Sequence, residues 1–100
     1  MMPTESANGA ALLTHMGGLH ARPAVKLTQD ARRFAARVEL ATSAEGPWID
    51  AKSIVRVMAM KATQGSLLHI RATGADAQAA VDAVVRLVSN DFGARHAGDA

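Results

Sequence analysis

The chain has 100 residues, of which 49% are hydrophobic and 20% are charged. This balance excludes a disordered chain, because disorder requires fewer apolar and more charged residues. A domain of this length buries only about 60–65% of the surface that it exposes when unfolded, which excludes a deep substrate cleft and favours a shallow surface site. The sequence contains no cysteine, which excludes disulfides, thiolate zinc sites and thiol catalysis and fits a reducing compartment.

The formal net charge is only +2, with 11 Lys and Arg residues dispersed among 9 Asp and Glu residues. Nucleic-acid binders need a basic stripe or stacked aromatics, whereas the three aromatics of this chain are scattered at Phe34, Trp48 and Phe92. No apolar run reaches the roughly 18–20 residues of a membrane span, and residues 1–9 do not resemble a secretory signal. We therefore expect no nucleic acid partner, no membrane insertion and a cytoplasmic location.

Turn-forming residues at both ends predict a flexible start over residues 1–9 and a frayed tail over residues 89–100. The folded domain is expected between them, over residues 10–88. Its first element is a short apolar run over residues 10–15, which predicts a strand.

A helix is predicted after the flexible pair Gly17-Gly18. Apolar residues recur there at three- and four-residue spacing, which places on one face Ala24, Leu27, Thr28, Ala31, Phe34 and Ala35. Pro23 is tolerated only in the first turn of a helix, so the helix should begin at about residues 20–22.

The second half of the chain predicts three further strands and two further helices. Residues 38–40 and 48–49 read as an antiparallel pair joined by a turn, and Ser53 is the expected N-cap of a short helix. Residues 67–72 alternate as a half-buried strand, and Asp76 is expected to cap an amphipathic helix that ends near Val88.

The resulting order is βαββαβα. Three amphipathic helices and four short strands are packed most simply as an α+β open-faced β-sandwich, with the helices on one face of a four-stranded antiparallel sheet.

The residues that point to chemistry lie at the start of the first helix. His20 follows the glycine pair and precedes Pro23, so it should lie where free N–H groups and the positive end of the helix dipole favour an anion such as phosphate. The same positive end disfavours protonation of the imidazole, and Arg22 supplies a forked guanidinium for phosphate oxygens. His20 could then both attack and carry a phosphoryl group.

Each of these residues also has a simpler interpretation. A histidine in such a loop most often satisfies a first-turn amide, an arginine there is usually a solvated charge, and Pro23 by itself only marks a helix start. His15 lies five residues from His20, which is not the spacing of a helical metal pair, so no metal and no cofactor is expected.

The string Gly18-Leu19-His20-Ala21-Arg22-Pro23-Ala24 resembles the active-site signature of the HPr family, the histidine-containing phosphocarriers of the bacterial phosphoenolpyruvate-dependent phosphotransferase system. A second segment, Ala51-Lys52-Ser53-Ile54 followed by Gln64-Gly65, is similar to the second signature of that family. Two signatures in the expected order make the resemblance specific.

The resemblance implies that His20 accepts a phosphoryl group from phosphorylated enzyme I and passes it to an enzyme IIA-type acceptor, in a protein that is a phosphocarrier and not a small-molecule enzyme. Arg22 would steady the phosphate, and the amides of Ala21 and Arg22 would cap it. The resemblance also implies a partner-docking patch, formed by Val25, Gln29, Ile54, Val55 and Met58. A diffusing shuttle of this kind is expected to be a monomer.

Ser53 has two interpretations, an N-cap and the serine that an HPr serine kinase phosphorylates in some family members. The function has alternatives as well. The acceptor could be a dihydroxyacetone kinase or a nitrogen-regulatory relay instead of a sugar-uptake protein, or the chain could be a regulatory interaction module controlled through Ser53. A small nucleic-acid-binding domain is a remote third class.

Overall fold

Four strands and three helices alternate along residues 5–93, the part of the chain that this computed structural model describes. They are β1 (Ser6–Leu12), α1 (Ala21–Ala31), β2 (Arg37–Ala41), β3 (Ile49–Asp50), α2 (Ile54–Ala59), β4 (Leu67–Thr73) and α3 (Ala77–Ser89), followed by a 3₁₀ turn at Asp91–Gly93. No helix within residues 5–93 has both the length and the hydropathy to cross a membrane.

The strands form one antiparallel sheet in the order β1-β4-β2-β3. In the two central strands Ile70 pairs with Leu40, and on its other side Ile70 pairs with Gly9 of β1. The three helices cover one face, so the predicted α+β open-faced sandwich is confirmed.

The core lies between the sheet and the helices. Alternate residues of β4, namely Leu68, Ile70 and Ala72, are almost fully buried, as their spacing predicted. The stripe predicted on α3 is buried too at Ala77, Ala80, Val81, Val84 and Val88, and Leu87 packs against it. Burial of each large aliphatic side chain contributes about 2 kcal/mol, so this interface supplies much of the stability.

The start of β1 differs from the prediction. The strand begins at Ser6 and ends at Leu12, so the predicted flexible start is wrong over residues 6–9. Its inward positions are small residues, which gave no apolar signal, and a Cβ at Gly9 would lie only 3.1 Å from the Val81 side chain of α3. Small residues here let α3 approach the sheet closely.

Helix α1 begins at Ala21, as Pro23 predicted, but ends at Ala31, before Phe34 and Ala35. The chain then turns into β2, and the inward residue is Ala36 instead of Ala35. The three- and four-residue apolar spacing continues into the turn, where the chain is no longer helical. The prediction therefore made the helix too long.

Asp76 stands at the N-cap position of α3 but makes no side-chain cap. Its two carboxylate oxygens instead accept hydrogen bonds from the backbone N–H groups of Ala35 and Ala36, at 2.9 and 2.7 Å. These bonds, the one from Ala35 first, hold the pKa of the Asp76 carboxyl below its ordinary value. Asp76, at the N-cap position of α3, thus stabilises the turn between α1 and β2 instead of capping its own helix.

The carboxyl-terminal part also differs from the prediction. Helix α3 includes Ser89, and Phe92 in the following 3₁₀ turn is only 3% exposed, so the predicted frayed tail is wrong over residues 89–93. The predictions for residues 1–4 and 94–100 lie outside the described residues.

The sheet face away from the helices is polar. The Arg71 guanidinium lies 4.1 Å from the centroid of the Trp48 ring, and its Nε donates a hydrogen bond to Glu39 Oε1 at 2.8 Å. His69 alternates with buried Leu68 and therefore belongs to this face. It lies on the other side of the sheet from α1.

Candidate functional site

The loop before α1 is fixed by a close backbone contact with the segment before β4. Gly18 has φ +70, and a Cβ placed on it would clash with the carbonyl oxygen of Ala62. The next residue, Leu19, donates its N–H to the same oxygen at 3.0 Å and is almost fully buried. Only glycine fits at position 18, and the contact sets the position of His20, two residues further on.

Gly17 determines which edge of the His20 ring is free. It has φ +86, and a Cβ there would lie 2.9 Å from His20 Cδ2 and 3.4 Å from Nε2. The Cδ2–Nε2 edge of the ring therefore packs against the backbone of Gly17. The edge that carries Nδ1 is on the opposite side of the imidazole.

His20 is the N-cap residue of α1, in an extended conformation with φ −78 and ψ −169. Its side chain makes no capping hydrogen bond, so the simpler interpretation of this histidine as a cap is wrong. Its carbonyl accepts the N–H of Ala24 at 3.0 Å, but no acceptor within residues 5–93 takes the N–H of Ala21 or Arg22. Two donors and the positive helix end thus remain available to an anion.

A surface cavity of about 390 Å³ lies beside His20. It is lined by His15, His20, Arg22, Pro23, Lys26, Phe92 and Gly93. Arg22 and Lys26 are both exposed, and no carboxylate from residues 5–93 lines the cavity. This composition favours a small anion held in contact with solvent.

The sequence did not predict that His15, Lys26 and the turn at Asp91–Gly93 contribute to this site. His15 Nδ1 lies 2.8 Å from Asp91 Oδ1, and the centroid of the His15 ring lies 5.4 Å from that of His20. Lys26 Nζ donates to the carbonyl oxygen of Phe92 at 2.8 Å. Only the apolar character of Phe92, just past the end of α3, could have indicated that the chain folds back onto α1.

The residues of the predicted docking patch lie on the exposed sides of α1 and α2. Val25, Gln29 and Ile54 line a common groove of about 200 Å³, which joins the two helices. Val55 is 73% exposed and Met58 is 41% exposed, which is unusual for large apolar side chains.

One residue of the predicted docking patch is shared between the surface of α2 and the core. Val57 of α2 is fully buried, and Met60, just after the helix, packs partly against the core. Ile54, which was assigned to the docking face, also packs partly against the core. Ile54 therefore connects the docking patch to the core, whereas the side chains of Val55 and Met58 are exposed on the surface of α2.

Ser53 is the N-cap of α2, as predicted. Its hydroxyl accepts a hydrogen bond from the backbone N–H of Arg56 at 3.3 Å. No group of three or more His, Cys, Asp or Glu side chains within residues 5–93 could hold a metal ion.

Comparison with known proteins gives one consistent family. Residues 10–90 match the family PTS-HPr, described as the PTS HPr component phosphorylation site. The chain is 45% identical to the phosphocarrier protein HPr of Cupriavidus necator over 76 residues, which are 76% of this chain and 83% of that protein. It is 37% identical to the phosphocarrier protein NPr of Proteus mirabilis over 75 residues, 75% of this chain and 82% of the other.

The fold agrees with solved structures of the same family. The crystal structure of HPr-C-His from Thermoanaerobacter tengcongensis superposes with a TM-score of 0.80 at 30% sequence identity, covering 87% of this chain and 96% of that chain.

Proposed function

Because the chain belongs to the HPr family of phosphocarrier proteins, we propose that His20 is its phosphoryl acceptor, loaded by phosphorylated enzyme I and unloaded by an enzyme IIA-type protein. The proposal rests on the free first turn of α1. The His20 ring is not used as a cap. It lies beside two N–H groups that no acceptor in the described part of the chain takes, and beside a cavity lined by Arg22 and Lys26.

The transfer step follows from the position of the ring. With its proton on Nε2, His20 has a lone pair on Nδ1, the nitrogen on the edge away from Gly17. This lone pair attacks phosphorus in the phosphohistidine of the donor protein, the P–N bond to the donor breaks, and its electron pair returns to the donor nitrogen. A protonated phosphoimidazole is consumed and another is formed, so the step needs no further reactant.

Within this proposal, Arg22 and the helix start bind the transferred group. The amides of Ala21 and Arg22 donate to phosphoryl oxygens, and the Arg22 guanidinium adds charge-assisted hydrogen bonds. The site is shallow, so a partner protein can approach the phosphorus atom. A carrier needs this exposure, because a buried phosphohistidine could not be handed on.

Partner docking is assigned to the patch of Val25, Gln29, Ile54, Val55 and Met58, which adjoins the cavity through α1. Its exposed apolar side chains suit transient contacts with more than one partner. We expect the carrier to act as a monomer in the cytoplasm. Since the chain is similar to both HPr and NPr proteins, an acceptor in a nitrogen-regulatory relay is the second candidate for the outgoing step.

Intact-mass measurement tests the acceptor. The chain is incubated with phosphoenolpyruvate, Mg²⁺ and enzyme I from a relative, and the product is then treated with acid. We expect one acid-labile phosphate on the wild-type chain and on His69→Ala, which changes a histidine on the other sheet face, and none on His20→Ala. Phosphorylation of the His20→Ala variant would refute the assignment.

The role of Arg22 is tested by charge reversal. Arg22→Glu places a carboxylate beside the phosphoryl oxygens and should slow phosphoryl acceptance by at least about tenfold. Arg56→Glu, a matched change in the first turn of α2, should have a smaller effect, because Arg56 does not line the cavity. Equal rates for wild type and Arg22→Glu would remove Arg22 from the mechanism.

Ser53 is proposed as a site of regulatory phosphorylation. Ser53 is half-buried, but its hydroxyl takes part in an exposed hydrogen bond, two residues before the exposed Val55. A phosphate there would add about −2 charge beside the docking patch. Binding of enzyme I to Ser53→Asp should therefore be weaker than binding to Ser53→Ala, and equal affinities would exclude this form of regulation.

A further inference from the structure

A second histidine lies against the proposed phosphoryl acceptor. The His15 and His20 rings have centroids 5.4 Å apart and planes inclined by 30°. Both rings line the cavity in which the phosphoryl group would be held. His15 precedes the signature that contains His20, and neither the transfer step nor the docking patch uses it.

The orientation of the His15 ring is fixed by residues from the other end of the chain. Its Nδ1 lies 2.8 Å from Asp91 Oδ1, across 76 residues of sequence. The Phe92 ring meets it edge-on at 5.6 Å between centroids. With Nδ1–H donated to the carboxylate, the proton of neutral His15 is placed on Nδ1, and Nε2 has no partner within residues 5–93.

The turn that provides these contacts has an unusual backbone. Asp91 and Phe92 both have φ 55, and Gly93 follows with φ 84. This left-handed region is tolerated by Asp and Gly but is rarely adopted by a bulky residue such as Phe92. Phe92 is nevertheless almost fully buried, and its carbonyl accepts a hydrogen bond from Lys26 Nζ. Packing and this bond hold a strained turn in place, and the turn places the Asp91 carboxylate on His15.

From this arrangement we propose that His15 is a positioning residue for the phosphoryl group of His20. When His20 is phosphorylated, His15 takes up a proton on Nε2 and donates that N–H to a phosphoryl oxygen, while Asp91 holds Nδ1–H. The inference rests on the function proposed above. It adds that phosphorylation of this chain is coupled to proton uptake at a residue outside the signature.

The sign of the coupling follows from the charges around the cavity. A phosphoryl dianion within a few ångströms favours the protonated imidazole, and the Asp91 carboxylate holds the Nδ1 side of the ring in place. The cationic groups Arg22 and Lys26 on α1 oppose protonation of the imidazole, but both also interact with the dianion once it is present. Low pH should therefore favour the phosphorylated form. Among residues 5–93, the charged and titratable groups that face His15 are Asp91 from the 3₁₀ turn, the N-cap His20, and Arg22 and Lys26 from the first half of α1.

Imidazole nitrogen NMR measures the coupling directly. The chain is phosphorylated with phosphoramidate, a small donor that needs no partner protein, and the phosphohistidine is located by mass spectrometry. We expect the titration midpoint of the His15 ring to move upward by about one pH unit on phosphorylation of His20, whereas the midpoint of His69 stays unchanged. An unchanged His15 midpoint, or phosphate found on His15 in place of His20, would overturn the proposal.

Two variants separate positioning from a purely structural role. The equilibrium between the phosphorylated chain and enzyme I is measured from pH 6 to 8 for wild type, His15→Gln, Asp91→Asn and the control His69→Gln. Wild type and His69→Gln should show the same decrease in the phosphorylated fraction as pH rises. The decrease should be several-fold smaller in His15→Gln and intermediate in Asp91→Asn.

The two proposals fail in different ways. If enzyme I does not phosphorylate the chain, the carrier function is refuted, and the phosphoramidate experiment still decides the role of His15. If enzyme I phosphorylates His20 and the pH dependence of His15→Gln equals that of wild type, the role of His15 is refuted and the carrier function stands.

Discussion

Helices α1 and α2 begin in opposite ways, although each starts with a polar residue at its N-cap. In α2 the Ser53 hydroxyl accepts the N–H of Arg56, the third residue of that helix. In α1 the third residue is Pro23, which has no N–H to donate, and the His20 side chain caps nothing. The cap of α2 occupies the N–H of its third residue, whereas within residues 5–93 the start of α1 leaves the N–H groups of Ala21 and Arg22 available to an anion.

The surroundings strengthen this difference. The start of α1 adjoins a cavity that includes His15 and Lys26, and a turn from the far end of the chain closes one side of it. The start of α2 is followed by the exposed side chains of Val55 and Met58. One helix end is suited to bind a charged group, and the other leads into an apolar surface suited to a protein partner.

The largest effect is expected from making the two starts alike. His20→Ser removes the imidazole that is proposed as the phosphoryl acceptor and should abolish phosphoryl acceptance. The hydroxyl of the new serine can accept only the N–H of Arg22, because Pro23 has no N–H. His20→Ser should therefore be more stable than His20→Ala by about 0.5 kcal/mol. Phosphate incorporation and urea unfolding measure the two effects, and no difference in stability between the variants would show that the start of α1 does not accept a cap.

The loop that holds His20 is tested next, by replacing glycines. Gly18→Ala forces a Cβ against the carbonyl oxygen of Ala62 and should destabilise the fold by about 3 kcal/mol. Gly65 is a matched control, because it also has positive φ, at +95, but has no atom within 4 Å of an added Cβ. Gly65→Ala should cost only about 1 kcal/mol. Equal melting temperatures for the two variants would contradict the close contact.

The cap of α2 gives a smaller effect. Ser53→Ala removes the acceptor of the Arg56 N–H and should lower the free energy of unfolding by about 1 kcal/mol. His20→Ala removes no cap, so it should change the free energy of unfolding by less than half as much as Ser53→Ala does. Chemical denaturation of both variants provides the measurement, and a larger loss for His20→Ala would reverse the comparison.

The third helix start predicts a pH dependence. The Asp76 carboxylate accepts two backbone N–H groups, so its pKa is lower in the folded chain than in the unfolded chain. The stability that this carboxylate contributes is fully present above its pKa in the unfolded chain, near 4. It is lost as pH falls through the lower pKa of the folded chain. Asp76→Asn should therefore melt at a lower temperature than wild type at pH 7, and the gap should narrow below about pH 4. A gap independent of pH would exclude the carboxylate as the cause.

Local patterns predicted much of the fold. Pro23 and Ser53 marked the starts of α1 and α2 to within a residue, because a fixed φ and a capping hydroxyl act over one helical turn. Alternation in β4 and the apolar stripe of α3 identified buried residues, since each element shows one face to the core. The same reasoning overextended α1 past Ala31 and missed the start of β1, where small inward residues carry no apolar signal.

The sequence by itself determined the family and was enough to propose His20 as the phosphoryl acceptor, because the signature around His20 is contiguous and its chemistry is local. Only the tertiary structure decided what surrounds that histidine. Asp91 and Phe92 reach His15 through the packing of α3 and the turn beyond it, across 76 residues that no local pattern relates. Side-chain spacing reports neighbours within a turn or a strand, whereas the cavity is assembled by contacts that exist only when the whole sheet and its helices are in place.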